Sequence, residues 1–308
     1  MLNELVELLT RMLGPDVDWK LVLLTGLTPV FVLAFAIEYR VLRRRGESAK
    51  VDWRDVRTNL GLAGAYQLAE LIVHALVSGA VIAWVYQHRL LDMPVNGWTI
   101  VPIFVAVEFC YYWFHRASHR IRWFWSAHVV HHSGEHMNFS TAMRQSALYA
   151  VTGWWLFFMP LVFLGIPPAV VFFLYGCDLA YQYFVHTEVV GKLPRWIEAV
   201  FDTPSNHRVH HGRNPRYIDR NYGGVLIIFD RWFGTYVEED EAVDYGIPQR
   251  LGSRHLWTVN MHEFIDMWRD VLTPGTLGQR LKHLWAPPEY VRPGPRRAQG
   301  AAVAVDPS

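Results

Sequence analysis

Cysteine is scarce in this chain, with two residues, Cys110 and Cys177, in 308. Both lie inside apolar runs, so they supply neither a disulfide framework nor a thiolate metal site and are expected to serve packing. Charge is also sparse. With 19% charged residues and a formal net charge of +1, the sequence has no basic face or stripe of the kind that marks a nucleic-acid partner, and none is expected. The first residues, MLNELVELLTRMLG, lack the basic start and small-residue cleavage site of a secretory signal. Their apolar positions recur at helical spacing, which predicts a short interfacial helix.

Apolar residues are abundant, at 52%, and they are clustered. Runs from Leu21 to Tyr39, Leu60 to Tyr86 and Trp98 to Phe114 each approach the ~20 residues that a bilayer crossing needs. A fourth apolar region, Leu148 to Val185, is about twice that length. Its interruption at Gly165-Ile166-Pro167-Pro168 predicts a membrane hairpin. Arg40, Arg43, Arg44, Arg45, Lys50, Arg54 and Arg57 crowd the first loop, whereas the second loop offers Arg89 and the hairpin tip has no basic residue. The first loop is therefore expected in the cytoplasm. Counting crossings from there puts His115 to Ser146, and everything from His186 onward, on the same side.

The expected fold is an all-α integral membrane protein, because a lipid-embedded backbone must satisfy its own hydrogen bonds. It comprises a helical transmembrane bundle with a membrane hairpin and a cytoplasmic helical, histidine-rich di-metal domain. Residues 1–97 hold the interfacial helix and two crossings, and 98–237 the third crossing, the hairpin and the histidine clusters. Residues 238–285 are expected to form a cytoplasmic helical segment, and the Pro/Arg/Ala/Gly-rich 286–308 a disordered tail.

Histidine is where the chemistry concentrates. Of 15 histidines, eight form three groups: His115-x3-His119, His128-x2-His131-His132 and His207-x2-His210-His211. His186 closes the hairpin as a ninth. On a helix, positions i, i+3 and i+4 share a face, so each group presents its imidazoles toward a common point. Imidazole suits Fe, Cu, Ni and Zn, and one ion cannot use nine ligands, so two metals are expected. His74, His88, His255, His262 and His283 stand alone and are expected to be satisfied or solvated. Ionisable groups at membrane depth are costly and face a partner or a cavity. Glu108, Asp178 and Gln182 are candidates to accept the free N–H of a ligating histidine, with His136 beside the second group as a further candidate. Trp123, Phe124 and Trp125 are expected at headgroup level. Arg208, Arg213, Arg216 and Arg220 fit a positive-inside pattern, with headgroup or electron-donor contact as the sharper reading.

The order H-x3-H, H-x2-H-H, membrane hairpin, second H-x2-H-H resembles the fatty acid hydroxylase and sterol desaturase superfamily over about residues 98 to 237. Within it, HHSGEHMNFSTAMRQS at 131–146, YQYFVHTEVVGKL at 181–193 and TPSNHRVHHGRNPRYIDRNYGGVLIIFDRWFGT at 203–235 resemble the alkylglycerol monooxygenase branch. That resemblance implies a di-iron centre held by His115, His119, His128, His131, His132, His186, His207, His210 and His211. It also implies O2 as co-substrate, an ether lipid cleaved next to its oxygen, and tetrahydrobiopterin as reductant. Some relatives carry a further histidine where this sequence has Gln182. No fused electron carrier is evident, so a separate electron-transfer protein or the pterin is expected to supply electrons. Acyl or sterol hydroxylation and desaturation share the ligand framework. A zinc hydrolase needs about three histidine ligands; a metal transporter places its ligands at mid-membrane; a non-catalytic scaffold has no use for repeated clusters.

Overall fold

The computed structural model describes residues 18–292, and among them no strand occurs beyond two isolated bridges. The expected N-terminal interfacial helix, and the tail from residue 293, lie outside the described residues. Helix α1 (Trp19–Gly26) starts at Asp18, whose carboxylate accepts the Leu21 N–H at 3.1 Å. Helix α2 (Thr28–Arg44) follows at a 44° bend. Pro29 accounts for the break, since it has no N–H to donate and its ring crowds the carbonyl four residues back. Asp52 caps α3 (Trp53–Val73), which continues through a π-helical segment, His74–Ser78, into α4 (Gly79–Gln87). Helix α5 (Ile100–Arg120) carries the first histidine pair in its last turns, and α6 (Arg122–His132) follows after extended Ile121.

The expected hairpin is asymmetric. Its second arm, α9 (Pro168–Val185), is a single 18-residue helix of about 27 Å. Its first arm is broken into α7 (Leu148–Thr152), a 3₁₀ turn (Trp154–Phe158) and α8 (Met159–Leu164). Gly153, at φ 89°, interrupts it, and Trp154, Trp155 and Phe158 turn inward onto the core. The continuous part, Trp154–Leu164, covers only about 16 Å. Two helices, Ser48–Gln87 and Pro168–Val185, are long and apolar enough to cross a membrane, or three if the bent pair α1–α2 counts as one. The five crossings expected from sequence are therefore not all present as apolar spans. α5 is helical as expected but is not among them, and it buries Glu108, His115 and His119 toward the protein.

Three short or peripheral elements complete the frame. α10 (Arg195–Val200) and α11 (Pro204–His210) precede an irregular loop, and α12 (Ile228–Phe233) closes it. In the C-terminal segment, α13 (Leu256–Leu272) and α14 (Leu277–Trp285) are helical as expected. α13 clamps α6: Arg122 Nε donates to Glu263 at 2.7 Å and its Nη1 to Asp270 at 2.7 Å. The main core gathers Val107, Phe114, Ala127, Phe158 and Val171 between α5, α6, α9 and the broken arm. The aromatics expected at headgroup level, Trp123, Phe124 and Trp125, are half-buried in the protein. Trp123 Nε1 donates to the Thr152 carbonyl at 3.0 Å, Phe124 packs on Phe157, and Trp125 packs on His132.

The tip of the broken arm depends on one glycine. Gly165 has φ 113°, and a Cβ there would overlap the Leu91 carbonyl oxygen. Replacing it with alanine adds a strained conformation to a backbone clash, a cost of about 3 kcal/mol. Gly165→Ala should therefore lower the thermal unfolding midpoint in detergent clearly, whereas Gly97→Ala, with open space at Cβ, should not. Equal midpoints would show that the tip is not packed in this way.

Candidate metal centre

The nine histidines converge, but not in the groups in which the sequence presents them. Ligand nitrogens of His115, His119, His128, His132 and His210 lie within 4.8 Å of one another, as do those of His131, His186, His207 and His211. Each H-x2-H-H box is thus divided. His128 and His132, four apart on α6, point to one centre while His131 turns to the other. Likewise His210 leaves its own box, and His207 and His211 stay together. All nine are buried.

The spacing fits shared ions. His128 Nε2 is 3.0 Å from the Nε2 atoms of His115, His119 and His132. In the other group, His186 Nε2 is 3.0 Å from His207 Nε2 and 3.2 Å from His131 Nε2, and His207 Nε2 is 3.2 Å from His211 Nε2. Ligands at right angles around an ion, with bonds of about 2.1 Å, stand about 3.0 Å apart.

Tautomers strengthen the point. A carbonyl oxygen can only accept, so an imidazole Nδ1 facing one carries the proton and leaves Nε2 as a bare lone pair. His115 Nδ1–H donates to Tyr222 O at 2.8 Å, His210 Nδ1–H to Arg220 O at 3.0 Å, and His186 Nδ1–H to Gln182 O at 2.6 Å. His207 Nδ1 lies 2.9 Å from an Asp202 carboxylate oxygen. The facing Nε2 lone pairs of His186 and His207 thus repel each other unless a cation lies between them. Buried His210 Nε2 has no hydrogen-bond partner among the described residues. Burial first, and then the neighbouring imidazoles, hold His128, His132, His207 and His211 well below the ordinary histidine pKa, so they are neutral and able to bind metal. The donor set, all neutral-capable imidazoles in two groups, fits a di-iron centre.

The groups that orient the imidazoles are largely not the ones the sequence suggests. Glu108 and Asp178 make no hydrogen bond to a histidine. Glu108 Oε2 accepts from the amides of Val225 and Leu226 at 2.7 and 3.0 Å. Asp178 accepts from Gln182 Nε2 at 2.7 Å, and Gln182 Oε1 accepts from the Tyr111 hydroxyl at 2.9 Å. The Gln182 side chain is therefore occupied away from both groups, and only its backbone carbonyl meets His186. His136 is also elsewhere, beside Asp52 and Asp55.

In their place stand Asp202 at His207, Asp219 at His119 (3.4 Å), the Tyr149 hydroxyl at His128, and three backbone carbonyls. Asp219, Arg220 and Tyr222 come from one short stretch, so a single loop orients His119, His210 and His115. Asp219 and Asn221 adopt φ of 61° and 56°, a costly conformation held by the surrounding bonds. Asn221 Nδ2 donates to the Asn206 and Val237 carbonyls at 3.0 and 2.8 Å, and Asp230 accepts from the Tyr222 and Gly223 amides at 2.8 and 2.7 Å. Glu108 pins Val225 and Leu226 further along the same loop. It supports the centre through backbone, one step further out than expected.

Among the segment's arginines, three are paired within the protein: Arg208 with Glu239, Arg213 with Asp244 and Arg216 with Asp240. Arg220 reaches the Gly234 carbonyl at 3.4 Å. The five isolated histidines belong to neither group.

If these assignments hold, His131→Ala and His210→Ala should lose iron while His262→Ala keeps it. Asp202→Asn should keep the fold and weaken iron retention by about ten-fold in a chelator competition, the size expected for removing a carboxylate that orients a ligand. Full iron in His131→Ala would refute the ligand assignment.

The profile of the fatty acid hydroxylase family matches residues 100–235, the stretch that carries all nine converging histidines. The chain is 35% identical over 270 residues to alkylglycerol monooxygenase of Danio rerio, covering 87% of this chain and 60% of that protein. To alkylglycerol monooxygenase of Homo sapiens it is 37% identical over 252 residues, covering 80% and 56%. Ornithine lipid hydroxylase of Rhizobium tropici is 26% identical over 222 residues, covering 70% and 65%. The chain thus spans somewhat over half the length of the two alkylglycerol monooxygenases. No solved structure matches. Residues 100–235, and the nine histidines within them, thus match the fatty acid hydroxylase family.

Proposed function

We propose that this protein is a membrane-bound, O2-dependent di-iron monooxygenase that cleaves the ether bond of an alkylglycerol. The observation that carries the reading is a cavity of about 330 Å³ whose wall includes His115, His128, His131 and His186, drawn from both histidine groups. Its remaining walls include Leu21, Leu24, Phe31, Phe114 and Leu179, and Leu21 to Phe31 flank the α1–α2 break. A lipid chain fits against such walls and brings one carbon to the imidazoles of both groups. Similarity to alkylglycerol monooxygenases over most of this chain supports the ether lipid over other lipids.

Bound iron would supply O2 activation and C–H oxidation, chemistry that no side chain can perform alone. The protein's part is to hold and orient. Apolar walls exclude water from the reacting carbon, and the Nδ1 acceptors fix each imidazole. Oxidation of the carbon next to the ether oxygen gives a hemiacetal, which collapses to a fatty aldehyde and glycerol. The other oxygen atom of O2 leaves as water, using two electrons from tetrahydrobiopterin or a separate electron-transfer protein.

The active site is proposed to face the cytoplasm. Arg45 Nη1 donates to the Val189 carbonyl at 3.1 Å and Lys50 pairs with Glu188 at 2.7 Å, so the basic first loop meets the chain directly after His186. The positive-inside rule then assigns that end of the bundle to the cytoplasm. Pro167 lies the length of α9 away.

Membranes containing the protein, given tetrahydrobiopterin and O2, should convert an alkylglycerol to aldehyde and glycerol, with 18O from O2 in aldehyde trapped before exchange. Hydroxylated acyl chains or sterols with alkylglycerol untouched would refute the ether-lipid assignment and retain the oxygenase. Accessibility tags in the Arg43 to Lys50 loop should report cytoplasmic and a tag at Pro167 the opposite side. A cytoplasmic Pro167 would make the broken arm and α9 a re-entrant pair.

A further inference from the structure

A second cavity, of about 680 Å³, adjoins the one above, and Trp154 lines both. Its polar lining includes Asp18, Lys20, Glu70, His74, Ser78 and Trp155, among apolar side chains of α3, α4 and α9. Trp154, the residue shared by the two linings, is bound to an ion pair whose Glu70 lies within the candidate span Ser48–Gln87. Lys20 Nζ lies 2.7 Å from Glu70 Oε2, 3.3 Å from the Tyr66 hydroxyl and 4.5 Å above the Trp154 ring, and Glu70 Oε1 accepts from Trp154 Nε1 at 2.7 Å. These groups satisfy one another.

Other groups are left over. Trp155 is 9% exposed, and its Nε1–H has no partner among the described residues. An unmade hydrogen bond of this kind is costly, and such a donor points to a ligand. His74 and Ser78 meet only each other, at 3.4 Å. Both belong to the π-helical segment, a rare form concentrated at functional sites. Gly79 accommodates that segment: a Cβ there would come 2.8 Å from the His74 carbonyl and 3.4 Å from its Nε2. With Asp18 and Glu70 against a single Lys20, the lining disfavours an anion and favours hydroxyls that can both accept and donate.

We propose that this cavity is a second lipid site, which holds the uncharged, hydroxylated headgroup of a neutral lipid next to the oxidation cavity. Trp154, held by the Lys20–Glu70 pair, lies between the two sites. The inference rests on the reading that lipid is oxidised in the smaller cavity, and it adds a place where a lipid with a polyol head sits within the span. Ionisable groups at this depth commonly mark substrate pathways.

The test uses iron-loaded full-length protein in phosphatidylcholine nanodiscs and a 1-O-alkylglycerol with a diazirine beside the glycerol. Photolabel should appear within Val73 to Ala83 as well as at Tyr111 to His115. Trp155→Phe, which keeps the ring and removes the donor, should reduce the first label by about five-fold, as expected for one lost hydrogen bond. It should leave the second label and the iron content unchanged. Ser78→Ala serves as a second variant if Trp155→Phe fails to fold, with a reduction at Val73 to Ala83 again expected. Unlabelled 1-O-hexadecylglycerol should compete, and hexadecane and hexadecyl phosphate should not. No label at Val73 to Ala83, label there insensitive to both variants, or equal competition by hexadecane or hexadecyl phosphate would overturn the proposal. Labelling as expected without turnover of alkylglycerol would overturn the substrate assignment and leave this site intact. Turnover without label at Val73 to Ala83 would do the reverse.

Discussion

Nine buried imidazoles with converging nitrogens are the constraint on which the rest of the structure depends. Taken alone, the arrangement is unfavourable: lone pairs face each other at 3.0 Å between His186 and His207, and His210 Nε2 is buried without a partner among the described residues. Cations at the two centres reverse the sign of that interaction, and the energy of binding them becomes part of the energy of folding. Each imidazole must also be kept from turning away. The protein does this from behind, through Nδ1, with carbonyls where the backbone can be brought close and with carboxylates or a hydroxyl elsewhere.

Holding the backbone that close shapes the local fold. The Asp219–Tyr222 stretch adopts two left-handed non-glycine residues so that consecutive positions can face three different histidines. The cost of that conformation is offset by Asn221, Asp230 and Glu108, which between them accept from or donate to the loop's amides and carbonyls and those of its neighbours. On the opposite flank, α13 grips Arg122 at the start of α6, fixing the helix that contributes to both centres. The histidine groups are therefore braced by parts of the chain on either side of them in sequence, including a segment beyond the matched family region.

The membrane-facing architecture serves the same centre. α5 carries His115 and His119 in its last turns and α9 runs up to His186, so both helices deliver histidines to the two groups. The broken arm between Leu148 and Leu164 turns Trp154, Trp155 and Phe158 inward, and Trp154 then lies between two cavities instead of facing lipid. The bend at Pro29 likewise places Leu24 and Phe31 along the cavity that reaches the histidines.

Sequence by itself determined the helical class, the apolar runs and the nine histidines that converge, eight of them because H-x3-H and H-x2-H-H at helical spacing bring imidazoles to neighbouring positions on a helix, and His186 because it closes the hairpin. It could not reveal how those imidazoles are shared. Within His128-x2-His131-His132, the 100° between successive helical residues separates His131 from its neighbours, and only the packing of α6 between the other histidine-bearing segments assigns them to different centres. The orienting groups were hidden for a similar reason: Tyr222, Arg220 and Gln182 act through backbone carbonyls, which no side-chain pattern records, and Asp219 meets His119 across a hundred residues. Glu108 and Asp178 were visible as costly charges in apolar helices, yet their partners, loop amides and a glutamine, depend on how distant segments fold over them. Local periodicity is a property of the chain, whereas contacts between remote segments, and the cavities they leave, exist only once the tertiary structure closes.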